Sequence, residues 1–305
     1  MKKRDFYGQM LLQEEDKRSC GDESTADLYR AVRNHFMCFS GGKELCLKEV
    51  TPALVEAFLK WLREKGLRVN TVNSYLSSFR ALCHTALREG LPGPASDPFA
   101  GLHLKREETA KRALKIAEVN KVMQADYPAE PSLREALDLF IFSYLACGIP
   151  FVDLAYLTKK NIVGGEIVYY RHKTGALIRV GITPAMRLLL RKYGQKGSPY
   201  LFPVLSAGKD GYEAYKAALR KYNSLLVIIG ERLHLSVKLT SYVARHSWAT
   251  EALRQNIPVA VISQAMGHTS EKTTRIYLAQ LDQSVLNKAN AKITKKAADM
   301  FLERA

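Results

Sequence analysis

The chain has 305 residues, 46 Lys and Arg against 30 Asp and Glu, and a formal net charge of +16. A hydrophobic share of 47% is enough for a sizeable core, and the length allows one large domain or two ordinary ones. The basic excess favours a polyanionic partner, because each phosphate neutralised by Lys or Arg releases condensed counterions, although ribosomal and membrane-surface proteins share such a charge. The five cysteines, Cys20, Cys38, Cys46, Cys83 and Cys147, are odd in number and never spaced C-x-x-C, which argues against a disulfide framework or a zinc site. Met1-Lys-Lys-Arg is basic, but no apolar signal core follows it, and no apolar run approaches the length of a membrane span. A cytoplasmic location with reduced thiols is expected.

Taken in chain order, the first half reads as helices. One is expected from about Thr25 to Phe39, ahead of Ser40-Gly-Gly42. Thr51-Pro52 offers an N-cap followed by proline at the first helical position, and Val55, Phe58, Leu59 and Leu62 form an apolar stripe that stops at Gly66. Asn70 is placed to cap the next helix, with Val72, Tyr75, Leu76, Phe79, Leu82, Cys83 and Ala86 inward as far as Gly90. Three prolines between Gly90 and Phe99 break the order. Leu102 to Lys115 is rich in Lys and Arg and reads as a linker, either phosphate-binding or merely a solvated connector.

Beyond it, Leu133 to Cys147 is a strong helix with Ala136, Leu137, Phe140, Ile141 and Tyr144 inward. Glu166 to Arg171 and Ala176 to Val180 are β-rich runs flanking Lys173-Thr-Gly175, the pattern of a hairpin. Helices are predicted around Pro184–Tyr193, Tyr212–Ile229, Ser241–Gln255 and Val259–Met266, with a last one from about Gln283 to Phe301. The fold class is therefore mainly α: a helical domain over residues 1–102, a linker over 103–115, and a larger helical domain over 116–305 holding one small antiparallel β-sheet.

Two stretches carry chemistry, Leu239-Thr-Ser-Tyr-Val-Ala-Arg-His-Ser-Trp-Ala-Thr250 and Met266-Gly-His-Thr-Ser-Glu-Lys-Thr-Thr-Arg-Ile-Tyr277. They resemble the signature of the tyrosine recombinase (integrase) family, in which Arg-His-x-x-Ala-Thr precedes Gly-His and a tyrosine nine residues after that histidine. The resemblance extends loosely over the first half, where Glu49 to Gly90 matches a helical, SAM-like core-binding domain, and specifically over the second. It implies two domains that close around duplex DNA, with no metal or other cofactor.

Cutting a phosphodiester without a metal requires a nucleophile, a proton donor for the leaving 5′-oxygen, and positive charge around the phosphorus. A tyrosine, with an ordinary pKa near 10, is a weak nucleophile unless neighbouring cations help it. The resemblance assigns Tyr277 as the nucleophile that forms a 3′-phosphotyrosine. Arg245 would clamp the non-bridging oxygens with its planar fork. His268 would donate to the same phosphate or steady Tyr277. Lys173, at the hairpin tip, matches the lysine that protonates the leaving oxygen. His246 is expected to support the site from behind, and Asp153 to brace Arg245.

Two positions depart from the pattern. Pro150, in Gly148-Ile-Pro-Phe-Val-Asp153, stands where the family's first arginine belongs, and proline has no side-chain donor. Losing one such donor costs roughly 3 kcal/mol, about a hundred-fold in rate or more. Arg134, Arg171 and Arg179 are the nearest arginines in sequence. Tyr242 replaces the usual His or Lys three residues before Arg245, and its hydroxyl can still reach a phosphate oxygen. The partners implied are double-stranded DNA with inverted-repeat core sites, a homotetramer in synapsis, and accessory DNA-bending proteins. The C-terminal helix, with Val285, Leu286, Ala289, Ile293 and Ala297 on one face, could pack in its own chain or on a neighbour. Rival readings are a catalytically impaired DNA-binding protein, a type IB topoisomerase, and a basic helical interaction protein.

Overall fold

A computed structural model describes residues 5–43, 45–104, 107, 112–194, 197–271, 273–274, 290 and 294–295. The chain divides into two compact units, Met1–Ala110 and Lys111–Ala305, with the break inside the basic segment expected to be a linker.

The first unit holds α1 (Phe6–Ser19), α2 (Glu23–Ser40), α3 (Pro52–Glu64) and α4 (Val69–Arg88). Its core is aromatic. Phe36 packs on Phe79 with ring centroids 4.6 Å apart and edge-on against Phe58 at 5.0 Å, and all three are fully buried. Helix α3 begins as its sequence predicts: the Leu54 N–H donates to Thr51 Oγ1 at 3.2 Å, and Pro52 opens the helix. A cap of this kind contributes about 1 kcal/mol. Helix α4, however, starts before Asn70, with Arg68 as its N-cap. The Asn70 amide is used elsewhere, donating to the Glu107 carbonyl at 2.8 Å and accepting from the Glu107 N–H at 3.1 Å. That reciprocal pair ties the segment after α4 back to its first turn.

Helix α1 has no counterpart among the predicted elements, and its buried face shows why. That face is Phe6, Gln9, Met10, Gln13 and Glu14, three polar residues out of five, so no apolar stripe marks it. Glu14 is compensated by Arg18 at 3.1 Å and Arg33 at 2.8 Å, whereas the Gln9 amide is fully enclosed with no hydrogen-bond partner among the described residues.

The second unit begins with α5 (Ile116–Gln124) and α6 (Pro131–Leu145), followed by the short α7 (Phe151–Ala155). Next comes an antiparallel sheet ordered β1 (Ile162–Val163), β2 (Glu166–Tyr170), β3 (Leu177–Gly181). Helices α8 (Pro184–Tyr193), α9 (Tyr212–Arg232), α10 (Val243–Arg254) and α11 (Val259–Met266) complete the described residues. Helix α6 is central. Leu133, Ala136, Leu137, Leu139, Phe140 and Phe142 are all buried on it, a spread too wide for a helix with one solvent face. Its Asp138 accepts from Lys192 Nζ at 2.5 Å and Tyr193 Oη at 2.8 Å, which pins the end of α8.

The hairpin register pairs Ile167 with Val180 and Tyr169 with Ile178. These four face the core, while Tyr170, Leu177 and Arg179 face outward, as the two-residue period of a strand requires. The predicted final helix and its apolar face fall on residues of which only 290, 294 and 295 are described. Among the described residues no helix is long and apolar enough to cross a membrane.

Candidate active site

The site gathers where the start of α10, the end of β2 and the end of α11 meet. Arg245 lies in the first turn of α10 and is only 2% exposed. Its Nη1 donates to the Gly148 carbonyl at 3.0 Å and its Nη2 to the Met266 carbonyl at 2.5 Å. Gly148, in the turn between α6 and α7, has φ +69°, and a Cβ there would lie 2.6 Å from the Arg245 Cα. Glycine is needed at that position both for the backbone angle and for the close approach.

Helix α11 ends at Gly267 with φ +63°, where the Gly267 N–H donates to Gln264 and the His268 N–H to Ser263. This left-handed C-cap turns His268 back toward Arg245. Nη2 of Arg245 and Nε2 of His268 are 3.2 Å apart, and Nδ1 of His268 is 2.8 Å from Oγ1 of the buried Thr274. A guanidinium can only donate, so Nε2 accepts and the ring proton sits on Nδ1, donated to Thr274. Burial, with Arg245, Arg171 and Lys173 nearby, pushes the His268 pKa down to about 4, so the ring is neutral at physiological pH.

Lys173 is exposed at the hairpin turn, and the turn is tied down on several sides. Gly175 N–H donates to the Arg171 carbonyl at 2.8 Å, Thr174 Oγ1 to the Gly267 carbonyl at 3.1 Å, and His172 N–H to Asp153 Oδ1 at 2.8 Å. The His172 ring also lies flat on Tyr156, with centroids 5.7 Å apart and planes 7° from parallel. The turn that carries Lys173 is thus bonded, through the Thr174 side chain, to the backbone that carries His268.

Asp153, expected to brace Arg245, makes its contacts with the hairpin instead. Besides His172, its Oδ2 lies 3.5 Å from Arg171 Nε. The helix α7 that carries Asp153 points the carboxylate at the end of β2, while Arg245 is held by backbone carbonyls. Burial raises the Asp153 pKa, against the pull of the His172 N–H, of Arg171 and, less strongly, of Arg245.

Arg171 is the residue whose place the sequence motif leaves unmarked. It is 6% exposed and donates from Nη1 to the Met266 carbonyl at 2.7 Å, the same oxygen that Arg245 uses. Its signal in the sequence is the strand period, since residues 167, 169 and 171 share one face and the first two are core. The other two basic candidates are elsewhere. Arg134 pairs with Asp126 and Asp138, and Arg179 pairs with Glu166 on the outer face of the hairpin.

Pro150 is buried as the N-cap of α7 and brings no donor. Tyr242 is the N-cap of α10 and 49% exposed, with its ring edge-on to His246 at 5.0 Å. Tyr277 lies outside the described residues. Among the described residues no three His, Cys, Asp or Glu side chains are grouped as metal ligands.

The Phage integrase SAM-like domain matches residues 5–94, and the Phage integrase family matches residues 112–284. Tyrosine recombinase XerD of Rhizobium meliloti is 24% identical over 75% of this chain and 76% of its own length. A tyrosine recombinase of Pseudothermotoga lettingae is 23% identical over 88% of this chain and 91% of its own. In structure, a lambda integrase(75-356) dimer bound to a COC′ core site superposes with a TM-score of 0.64 at 18% identity, covering 85% of this chain and 91% of that one. The Tn1549 transposon integrase in complex with a circular intermediate DNA gives 0.66 at 16%, covering 94% and 99%. These structural likenesses speak for the fold; the sequence match over both units goes further, and by it the chain belongs to the phage integrase family, as a tyrosine recombinase.

Proposed function

We propose that this recombinase cuts and rejoins DNA at specific sites, using Tyr277 as nucleophile and Arg245, His268 and Lys173 around the scissile phosphate. The observation that carries the reading is the convergence of these last three on the Met266–Gly267 turn. Two of them are cross-bonded, and the Lys173 hairpin is bonded to the turn itself. Helix α10 supplies a buried, preoriented cation, which costs no reorganisation when the phosphorane charge develops.

In the cleavage step the Tyr277 oxygen bonds to phosphorus and its phenolic proton leaves. His268, neutral in the free protein, can take that proton on Nε2, the ring nitrogen that faces Arg245. The bond from phosphorus to the 5′-oxygen breaks, and the Lys173 ammonium protonates the departing oxygen. A 5′-hydroxyl from the partner strand then attacks the phosphotyrosine, the proton transfers run backwards, and tyrosine is restored. The bond energy is kept in the phosphotyrosine, so the exchange draws on neither ATP nor a metal. Tyr242 would add a hydrogen bond to a phosphate oxygen from the mouth of the site, with His246 behind it. Residues 1–102 would form a core-binding domain and 116–305 the catalytic domain, joined by 103–115. The protein would bind inverted repeats as protomer pairs, assemble as a tetramer in the cytoplasm, and take help from DNA-bending proteins.

The test is incubation of wild type and Tyr277→Phe with the DNA flanking the protein's own gene. Detergent-resistant protein–DNA adducts from wild type alone are expected, with DNA binding retained by the variant. Binding without adduct by wild type would support the impaired-binder reading that Pro150 motivates. Relaxation of plasmids lacking the flanking DNA would support a topoisomerase.

A further inference from the structure

We infer that Arg171 fills the role of the arginine that Pro150 excludes, binding a non-bridging oxygen of the scissile phosphate beside Arg245. The inference rests on the recombinase reading above. It begins from the way the two arginines are housed. Each guanidinium is buried, and both donate to the single Met266 carbonyl oxygen, at 2.7 Å from Arg171 and 2.5 Å from Arg245. Each also runs against a glycine with positive φ that leaves room for it. A Cβ on Gly148 would strike the Arg245 backbone, and one on Gly267 would come within 2.6 Å of Arg171 Cδ. Two cations of like charge are thus held side by side in a desolvated place with one carboxylate, Asp153, beside them, so a further anion would offset the remaining positive charge.

The bonding of Arg171 is incomplete in the way such a site requires. A guanidinium has five N–H donors. Among the described residues only Nη1 closes a hydrogen bond; Nε stops at 3.5 Å from Asp153, and Nη2 is neither bonded nor enclosed. The free Nη2 leaves Arg171 able to donate to a phosphate oxygen without giving up the Met266 carbonyl. Asp153 holds the stem end of the same guanidinium, so the fork is aimed before substrate arrives. His268 senses Arg171 as well as Arg245 among the charges around it, which puts all three in one field. Of the three arginines nearest Pro150 in sequence, Arg134 and Arg179 are occupied by carboxylates away from this place.

The test must separate phosphate binding from support of the Met266–Gly267 backbone. Single-turnover adduct formation would be measured on a duplex carrying the mapped cleavage site, once with the natural phosphodiester and once with a methylphosphonate at the scissile position. The methyl group removes the charge that an arginine would neutralise. Arg171→Ala should slow cleavage of the phosphodiester about a hundred-fold or more. On the methylphosphonate it should approach the wild-type rate, as Arg245→Ala should too. Arg171→Lys, which keeps the charge but loses the fork, should fall between and carries the same comparison if the alanine variant melts early. An equal defect on both substrates, or no defect on either, would overturn the inference and leave Arg171 a packing residue. If wild type forms no adduct on the phosphodiester, the recombinase reading itself fails and takes this inference with it.

Discussion

The start of α10 and the end of β2 each deliver one buried arginine to the same carbonyl oxygen, yet they hold it differently. Arg245 comes from a helix turn and is fastened by two backbone carbonyls and a histidine. Arg171 comes from the residue just after β2, where the strand's inward period continues, and is steadied by one carbonyl and a carboxylate. A cation fastened by backbone atoms is set by the fold and resists substitution around it. One steadied by a carboxylate depends on a second side chain, and that dependence can be cut.

The largest effect expected is from Arg245→Ala, which removes the better-fastened cation and should lower single-turnover adduct formation by about a hundred- to a thousand-fold with the fold intact. A rate within ten-fold of wild type would break the comparison, because Arg171 would then be sufficient alone. Next come the glycines. Gly148→Ala collides with the Arg245 backbone and forces alanine to positive φ, so it should destabilise the second unit by about 1–3 kcal/mol, read as a drop in Tm. Gly267→Ala has the same backbone angle but meets mainly side-chain atoms, of Arg171 and Ile178, so it should cost less stability than Gly148→Ala. Reversal of that order would mean that Arg171 is the more rigid of the two.

Asp153→Asn can still accept from the His172 N–H but loses the charge beside Arg171. Adduct formation should fall about ten-fold, the rate equivalent of roughly 1.4 kcal/mol for one lost charge interaction. An unchanged rate would show that the carboxylate serves only the hairpin turn. A pH series sharpens the third member of the cluster. His268 titrates near 4 in the folded protein and near 6.5 when unfolded, so between those values only the unfolded chain binds the proton. Its contribution is fully present above about pH 6.5 and is lost as pH falls toward 4. The stability difference between wild type and His268→Gln should shrink over that window, and a difference independent of pH would contradict the neutral, Arg245-facing ring. The smallest effect is in the first unit, where Gln9→Leu replaces an enclosed, unbonded amide and should raise stability by about 1 kcal/mol in a denaturant titration.

The same contrast explains what could be read from residues alone. Arg245, His268 and the Lys173 turn lie in local motifs, and α3, α8, α9 and α11 announce themselves by caps and apolar periods. Helix α1 does not, because Gln9, Gln13 and Glu14 occupy its buried face. Asn70 has the chemistry of a cap, but its amide goes to Glu107, a partner 37 residues away that no local rule reveals. The contact of Asp153 with Arg171 was equally hidden, since α7 and the residue after β2 meet only in the fold. The acceptors that gather the two arginines, Gly148 O and Met266 O, are backbone atoms and leave no residue type to recognise.

The most direct test of the account is to identify the residue that holds the DNA. Wild type trapped on the flanking DNA would be digested with nuclease and trypsin and its peptides weighed. The expected result is a nucleotide joined through its 3′-phosphate to Tyr277, in the peptide from Ile276 to Lys288. Attachment instead at Tyr242, in the peptide from Leu239 to Arg245, or tight DNA binding with no modified peptide at all, would contradict it.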